Sequence, residues 1–242
     1  MDETVEQDLV DRLRMISQSG PFPPSGSSSG KFGLALEERL GIRANSSKRP
    51  DFHGIEIKTK ETTAKNLQTL FSKSPCSFDG MGGRKEMFLR HAYRDEKRGR
   101  LALYTSFSST PDSLGFHLLP SDQCVKVLRN GQAVMEYHVT ELKKSLLEKH
   151  SRSAFVLLEK TRKESKVLCM VTGVVMCHDP SIGKFLELIQ EGKIYLDLTM
   201  SLTKSGMVKD HGHLWRCRFD SLPRLYETTK AIDFRSGNET AT

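Results

Sequence analysis

The chain has 242 residues, enough to bury one large core or two closely packed lobes. Lysine and arginine outnumber the acidic residues, and the formal net charge of +7 favours a polyanionic partner such as nucleic acid over an acidic or neutral one. Five cysteines without a C-x-x-C pair argue against a disulfide scaffold or a cysteine-rich zinc site and indicate a reducing compartment.

The start of the chain lacks the basic and then apolar pattern of a secretory signal. The longest strongly apolar run, residues 167–177, is too short to cross a bilayer. We therefore expect a cytoplasmic protein without membrane contact.

Two helices are predicted near the start of the chain. Residues 1–17 have apolar side chains at helical intervals, with acids early and arginines late. Residues 20–30 are rich in proline, serine and glycine and predict a loop. Residues 32–40 predict a second helix, with serines available to cap its start and Gly41 to end it.

The segment 50–59 carries the most informative charged residues. Residues 55–59 alternate between apolar and polar, which predicts a half-buried strand with Glu56 and Lys58 on one face. A proline and a glycine bracket Asp51, which predicts a turn that brings this carboxylate beside Glu56.

Two carboxylates and an ammonium on one face are suited to phosphodiester hydrolysis. Asp51 and Glu56 repel each other unless a proton or a hard cation such as Mg²⁺ is bound. Lys58 can hold or help deprotonate a water, or stabilise the charge that builds on a phosphate. On these three residues alone, an ordinary amphipathic strand with a solvated charged face is the alternative.

The residues around Asp51 resemble the PD-(D/E)xK nuclease signature, and the run PDFHGIEIKTKETTAKNLQTLFSKSP resembles the MvaI/BcnI restriction endonucleases and, more distantly, the nicking enzyme MutH. Residues 30–37, GKFGLALE, are similar to a G-x-x-L-E helix whose glutamate joins the active site in these families. The resemblance implies Asp51 and Glu56 as ligands of Mg²⁺, for which Mn²⁺ can substitute. It also implies catalytic roles for Lys58 and Glu37.

Residues 60–73 predict a buried element with a basic rim, and the resemblance implies that this element continues the sheet and approaches the DNA backbone at Lys73. Residues 77–100 are rich in glycine, arginine and lysine. They predict either a mobile segment that contacts phosphates or a solvated loop and helix.

Strands and helices follow in mixed order without repeats. The predicted elements are strands at 101–106, 115–119 and 125–139 with a hairpin turn at Asn130-Gly131, a helix at 140–150, strands at 154–159 and 166–177 joined by a turn at 160–165, a helix from Asp179-Pro180 to Gly192, and a strand at 194–202.

A polar segment, residues 203–218, resembles the D-x-G-x-x-x-R stretch with which MvaI/BcnI enzymes read base edges, at Asp210, Gly212 and Arg216. Arginine can bond two acceptors of guanine, and histidine and aspartate can meet guanine and cytosine edges. The predicted DNA-binding residues are Lys73, Lys204, Asp210, His211, His213, Arg216 and Arg218. A metal site of Asp210, His211 and His213, or a polar turn before a final strand, are the alternatives.

The resemblance implies an α/β fold with a PD-(D/E)xK, restriction-endonuclease-like core, in which helices flank a mixed central sheet, and a second recognition lobe. We assign residues 1–115 to the catalytic lobe and 116–242 to a mixed α/β lobe with a DNA-recognition loop near 203–218. The expected protein is a type II restriction endonuclease, monomeric and Mg²⁺-dependent, that cuts double-stranded DNA at a CCNGG-like site and has a cognate DNA methyltransferase. A MutH-like nicking endonuclease and a DNA-binding protein with a decayed nuclease site are the alternatives.

Overall fold

The structure, a computed structural model, describes residues 2–27, 30–42, 50–61, 67–236 and 239–241. The helices in these ranges are α1 (Asp2–Gln18), α2 (Lys31–Arg39), α3 (Arg84–His91), α4 (Val139–His150) and α5 (Ile182–Gln190), with a 3-10 helix at Phe219–Leu225. The strands are β1 (Glu56–Glu61), β2 (Leu67–Ser72), β3 (Ser77–Phe78), β4 (Tyr93–Asp95), β5 (Arg100–Phe107), β6 (Phe116–Pro120), β7 (Cys124–Arg129), β8 (Gln132–His138), β9 (Arg152–Lys163), β10 (Lys166–Pro180), β11 (Ile194–Leu202), β12 (Val208–Arg218), β13 (Tyr226–Asp233) and β14 (Glu239–Ala241).

The chain divides into two compact units, and neither is continuous in sequence. The first unit comprises Met1–Lys65, Glu148–Pro180 and Tyr226–Thr242, and the second comprises Asn66–Leu147 and Ser181–Leu225. This division differs from the single boundary between residues 115 and 116 that the sequence suggested. Sequence order does not show which distant strands pair, so a discontinuous unit leaves no composition break to detect.

The first unit is built on a mixed sheet with the strand order β1-β9-β10-β13-β14. β1 runs parallel to β9, and the other neighbours are antiparallel. A buried apolar cluster includes Leu9 and Leu13 of α1, Leu36 of α2, and Ile57 and Val156 of the sheet. Because these helices bury one face against the sheet, the start of β1 is held in a fixed place.

The second unit contains two sheets, with the orders β2-β12-β11-β5-β4 and β3-β8-β7-β6. The rings of Phe71, Phe185 and Trp215 pack against one another, with centroids 5.5 to 6.3 Å apart. Strand β2 pairs with β12 and not with the sheet of β1. Residues 60 and 61 end β1, so the expectation that residues 60–73 continue this sheet is wrong for residues 67–72, which form β2. Lys60, assigned to the basic rim, is buried.

Most predicted elements are confirmed, with shifts at their ends. Asn130 and Gly131 form the predicted hairpin turn, both with positive φ. The predicted turn at 160–165 is shorter, because β9 runs to Lys163 and only Glu164 and Ser165 have positive φ. Helix α5 begins after Pro180, which still pairs in β10.

Two further differences concern caps and loops. Gly30 is the N-cap of α2 and makes no side-chain cap bond, while Gly41 ends the helix with a φ of 76° as predicted. Ser28 and Ser29, the serines nearest the helix start, lie outside the described residues. Residues 77–100 contain α3 and two short strands, β3 and β4, and the contact of this segment with phosphates stays a prediction.

All five cysteines are free thiols. Burial raises the pKa of Cys169 to about 11 and the pKa values of Cys177 and Cys217 to about 12. These three thiols are therefore protonated at neutral pH and pack as small apolar groups. Among the helices that the structure describes, none is long and apolar enough to cross a membrane.

Candidate active site

A tight hairpin precedes β1 in the first unit. Phe52 and Ile55 exchange backbone hydrogen bonds of 2.9 and 2.8 Å, and the two residues between them, His53 and Gly54, have φ values of 45° and 91°. This geometry is that of a two-residue turn. Asp51 lies immediately before the hairpin, so the turn carries it back alongside β1, as predicted.

Glu56 and Lys58 project from the same face of β1. Lys58 Nζ lies 2.5 Å from Glu56 Oε1, and Asp51 Oδ2 accepts a hydrogen bond of 3.2 Å from the Ile57 N–H. The Glu56 side chain has 0% exposure. The alternative of an ordinary strand with a solvated charged face is therefore wrong, because the charged face of β1 is covered at Glu56.

A second lysine that the sequence did not reveal completes the surroundings of Glu56. Lys149, near the end of α4, places its Nζ 3.0 Å from Glu56 Oε2. The buried carboxylate thus lies between two ammonium groups. Each Glu56 oxygen thus contacts one ammonium group, while a carboxylate oxygen has two lone pairs that can accept. Both oxygens therefore retain capacity for a further electropositive group.

Glu37 of α2 joins this group of charges. One helical turn earlier, a Cβ at Gly33 would lie 3.0 Å from Thr59 Oγ1, so the glycine permits a close approach of α2 to β1. Burial raises the pKa of Glu37, and the negative charge of Asp51 raises it further, while Lys58 opposes the change. Glu37 is thus electrostatically coupled to the residues of β1 and its preceding turn.

Asp51 shows the same balance of effects. Burial and then the charge of Glu56 raise its pKa, while the Ile57 hydrogen bond, Lys58 and Lys149 lower it. Three carboxylates face two ammonium groups, so one negative charge remains uncompensated when all are ionised. This oxygen-rich, net-negative set fits a hard divalent cation.

The carboxylates do not form a complete metal cage. Among the described residues, no group of three or more His, Cys, Asp or Glu side chains is arranged to hold a metal ion. Mg²⁺ in proteins is commonly held by one or two carboxylates and completes its shell with water and substrate phosphate. The site is therefore consistent with an ion that takes two ligands from carboxylates and the others from water and substrate phosphate.

In the second unit, residues 203–218 form a hairpin turn followed by β12, so the predicted recognition loop is mostly strand. Asp210 pairs with Met200 and His213 pairs with Leu198, which leaves one extra residue on β12, and Gly212 there has a φ of 95°. This bulge turns Asp210 and His213 to the same face, whereas regular alternation would place them on opposite faces.

Asp210 and His213 take part in a buried network. His213 Nδ1 lies 2.5 Å from the Tyr137 hydroxyl, and His213 Nε2 lies 3.8 Å from Asp210 Oδ2. The Arg84 Nε approaches Asp210 Oδ2 at 3.1 Å. Burial lowers the pKa of His213 to about 4, partly opposed by Asp210, so the ring is neutral at neutral pH. The ion partner of Asp210 is then Arg84, whose side chain is 48% exposed.

The other predicted DNA-binding residues have different surroundings. Arg216 donates to Asp197 Oδ2 at 2.6 Å and to the Leu67 carbonyl at 2.8 Å, which ties β12 to its neighbours. Lys73 forms an ion pair of 2.6 Å with Glu141.

The remaining three predicted DNA-binding residues are exposed. His211 and Lys204 are exposed, and Arg218 is exposed and donates to the Tyr195 hydroxyl at 3.2 Å. The geometry does not favour the alternative of a metal site at Asp210, His211 and His213, because His213 is buried against the Tyr137 hydroxyl while His211 is exposed.

The model of the MvaI/BcnI restriction endonuclease family matches residues 10–226. The chain belongs to the MvaI/BcnI restriction endonuclease family. The resemblance drawn from the segments 30–75 and 203–218 is thereby confirmed. No curated protein sequence matches the chain.

The fold of this MvaI/BcnI family member is similar to solved structures of restriction endonuclease MvaI. MvaI in complex with its cognate DNA substrate is 24% identical, with a TM-score of 0.77 over 96% of this chain and 99% of that one. MvaI in the absence of DNA is also 24% identical, with a TM-score of 0.59 over 94% of this chain and 97% of that one. Both comparisons support a mixed α/β fold in which helices flank the sheets.

Three residues of this family member that the sequence patterns do not indicate lie at the predicted sites. Lys149 contacts Glu56, while Arg84 and Tyr137 contact Asp210 and His213. None of the three lies near its partner in sequence. Their sequence context is that of an ordinary basic helix or a strand, so it carries no signal for these contacts.

The buried His213 predicts a pH dependence of stability. Its pKa in the folded state, about 4, lies below its ordinary value of 6.5, so between these values the unfolded chain binds the extra proton. The contribution of neutral His213 to the free energy of unfolding is fully present above pH 6.5. It decreases as the pH falls towards 4, with a slope of up to about 1.4 kcal/mol per pH unit. Urea unfolding of wild type and His213→Asn across this range should show the slope in wild type and a smaller slope in the variant. Parallel curves for the two proteins would contradict the assignment.

Proposed function

We propose that this chain is a type II restriction endonuclease that hydrolyses phosphodiester bonds of double-stranded DNA at a specific short site, with Mg²⁺ as cofactor. The observation that carries the proposal is the convergence of Glu37, Asp51, Glu56 and Lys58 around the start of β1 in a member of this family. The first unit then corresponds to a PD-(D/E)xK core, and the second unit to the recognition lobe.

Asp51 and Glu56 are the proposed ligands of the metal ion. Bound there, Mg²⁺ supplies electrostatic stabilisation of the phosphate and lowers the pKa of a water. Mn²⁺ accepts the same oxygen donors and is expected to substitute. The uncompensated negative charge of the three carboxylates supports this role, and so do the remaining lone pairs of the Glu56 oxygens.

The remaining groups position water and stabilise charge. The Lys58 side chain is 28% exposed, so its ammonium can approach a phosphate while it stays beside Glu56. We propose that Glu37 assists through a bound water or a second metal ion. Lys149 supplies a counter-charge to the buried Glu56 carboxylate, with its Nζ 3.0 Å from Glu56 Oε2.

For DNA recognition, we propose that the exposed His211 reads base edges in the major groove, with Asp210 and Arg216 as further readers. Lys73, Lys204 and Arg218 are proposed to contact phosphates. His213 is buried, so we assign it the role of positioning Asp210.

The biological setting follows from the same proposal. A CCNGG-like site, action as a monomer and a cognate DNA methyltransferase are expected by analogy with the family. The methyltransferase is needed because the host DNA contains the same short site. Its gene should lie next to that of this chain.

Incubation of unmethylated plasmid with the purified protein tests the proposal. In Mg²⁺ we expect discrete linear fragments on a gel, and none when EDTA is present. Open circles without further cutting would instead indicate a nicking enzyme of the MutH kind. Intact plasmid that still shifts on a native gel would indicate a DNA-binding protein with a decayed nuclease site.

A further inference from the structure

A basic cleft lies at one end of the larger sheet of the second unit. Ser201 near the end of β11 pairs with Ala102 near the start of the antiparallel β5, so the turn before β5 and the turn after β11 lie at the same end of the sheet. Between them is a cleft of about 600 Å³. Four of its described lining residues are cationic and none is acidic: Arg94, Arg98, Arg100 and Lys204.

Tyr104 and Asp95 orient two of these arginines. Arg100 Nη2 donates to the Tyr104 hydroxyl at 2.8 Å, and the Arg98 guanidinium lies 5.8 Å from the centre of the Tyr104 ring. Arg98 also donates to Asp95 at 2.9 Å. Two guanidinium groups are therefore arranged around one aromatic ring, which reduces the conformational entropy lost when a ligand binds.

The cleft has donor capacity that the described part of the chain does not use. Arg100 Nε is buried and has no hydrogen-bond partner among the described residues. Arg94 and Lys204 are exposed and form no ion pair within the same part of the chain. A buried donor without a partner is unfavourable, so an acceptor that pairs with it on entering the cleft stabilises the bound state.

We propose that this cleft binds phosphate groups of the DNA backbone during the sequence-independent part of DNA binding. The inference rests on the proposed function. Arginine presents parallel N–H donors that match phosphate oxygens, and Lys204 adds a charge from the turn after β11. The same turn presents Met207, which is 67% exposed, at the tip of the β11–β12 hairpin. A two-stranded ribbon of this kind can enter the major groove while flanking cations contact phosphates.

The double variant Arg94→Gln/Lys204→Gln tests the cleft against the matched control Arg162→Gln/Lys166→Gln, which removes the same charge from an exposed hairpin of the first unit. All proteins are bound to a duplex with the cleavage site and to one without it, in Ca²⁺ over a range of salt concentrations. For the cleft variant we expect the slope of log K against log salt to fall in magnitude by about 0.9 to 1.8. We also expect affinity to weaken about three- to tenfold for both duplexes, with an unchanged ratio between them. The control should behave as wild type.

The outcomes separate this inference from the proposed function. If wild type cleaves plasmid but the cleft variant keeps the salt slope of the control, the inference is overturned and the nuclease assignment stands. If wild type neither cleaves nor binds a duplex, both are overturned. Inorganic phosphate tests whether the cleft binds free phosphate instead of DNA phosphates. If it raises the melting temperature of wild type but not of the cleft variant, while the salt slopes stay equal, the cleft binds free phosphate and the inference is overturned.

Discussion

Asp51→Asn is expected to abolish DNA cleavage and to raise the melting temperature of the metal-free protein. Cleavage should fall by at least about 10³-fold, because loss of one preorganised hydrogen-bond donor already lowers rates by about 10²- to 10³-fold and this change removes a proposed metal ligand. Binding to DNA in Ca²⁺ should persist. The measurements are plasmid cleavage, a native gel in Ca²⁺ and a thermal melt in EDTA.

The expected stabilisation follows from the raised pKa of Asp51. A carboxyl whose folded-state pKa is raised contributes stability that is present below its ordinary pKa and lost as the pH rises through the raised value. At neutral pH the ionised Asp51 therefore destabilises the fold, and asparagine, which can still accept the Ile57 N–H, removes that effect. We therefore expect the melting temperature of Asp51→Asn to lie above that of wild type. The control Asp8→Asn changes an exposed carboxylate of α1 and should retain cleavage. An Asp51→Asn protein that cleaves at the wild-type rate, or that melts below wild type, would contradict the account.

Glu56→Gln is expected to abolish cleavage and to destabilise the protein, in contrast to Asp51→Asn. Glu56 is fully buried between Lys58 and Lys149 at 2.5 and 3.0 Å, so the neutral amide leaves two partly buried ammonium groups without their counter-charge. Removing one partner of a buried ion pair typically destabilises by about 3–5 kcal/mol. Relief of the repulsion with Asp51 offsets part of this, and we expect a net loss of about 3 kcal/mol, or about 6–12 °C in melting temperature.

A second substitution tests whether charge is the cause. Lys149→Met should destabilise wild type, because it removes a partner of buried Glu56, but should stabilise the Glu56→Gln protein, because it removes an unpaired cation. Urea unfolding of the four proteins gives the coupling free energy. Equal effects of Lys149→Met in both backgrounds would show that Glu56 and Lys149 do not interact.

The geometry of residues 50–59 was predictable because its signals are local. Proline, glycine and the alternation of residues 55–59 predicted the turn and strand that place Asp51, Glu56 and Lys58 together, and the structure has this arrangement. The burial of Glu56 was not predictable. It depends on Lys149 and the parallel pairing of β1 with β9, both distant in sequence.

The second unit shows where local reasoning fails. A bulge changes which residues of β12 share a face, and no residue before Gly212 predicts this bulge. The burial of His213 depends on Tyr137, which lies on β8 in the other sheet of that unit. Polar residues that looked alike in sequence therefore divide into a buried network and exposed side chains.

The most direct test of the central claim is to sequence the ends of plasmid fragments produced in Mg²⁺ by wild type and by Asp51→Asn, purified in parallel. We expect all wild-type ends to lie at a fixed position in one short sequence and the variant to yield no such ends. Ends scattered over the plasmid, or the same ends from both proteins, would contradict the claim that the carboxylates at the start of β1 cut DNA at a specific site.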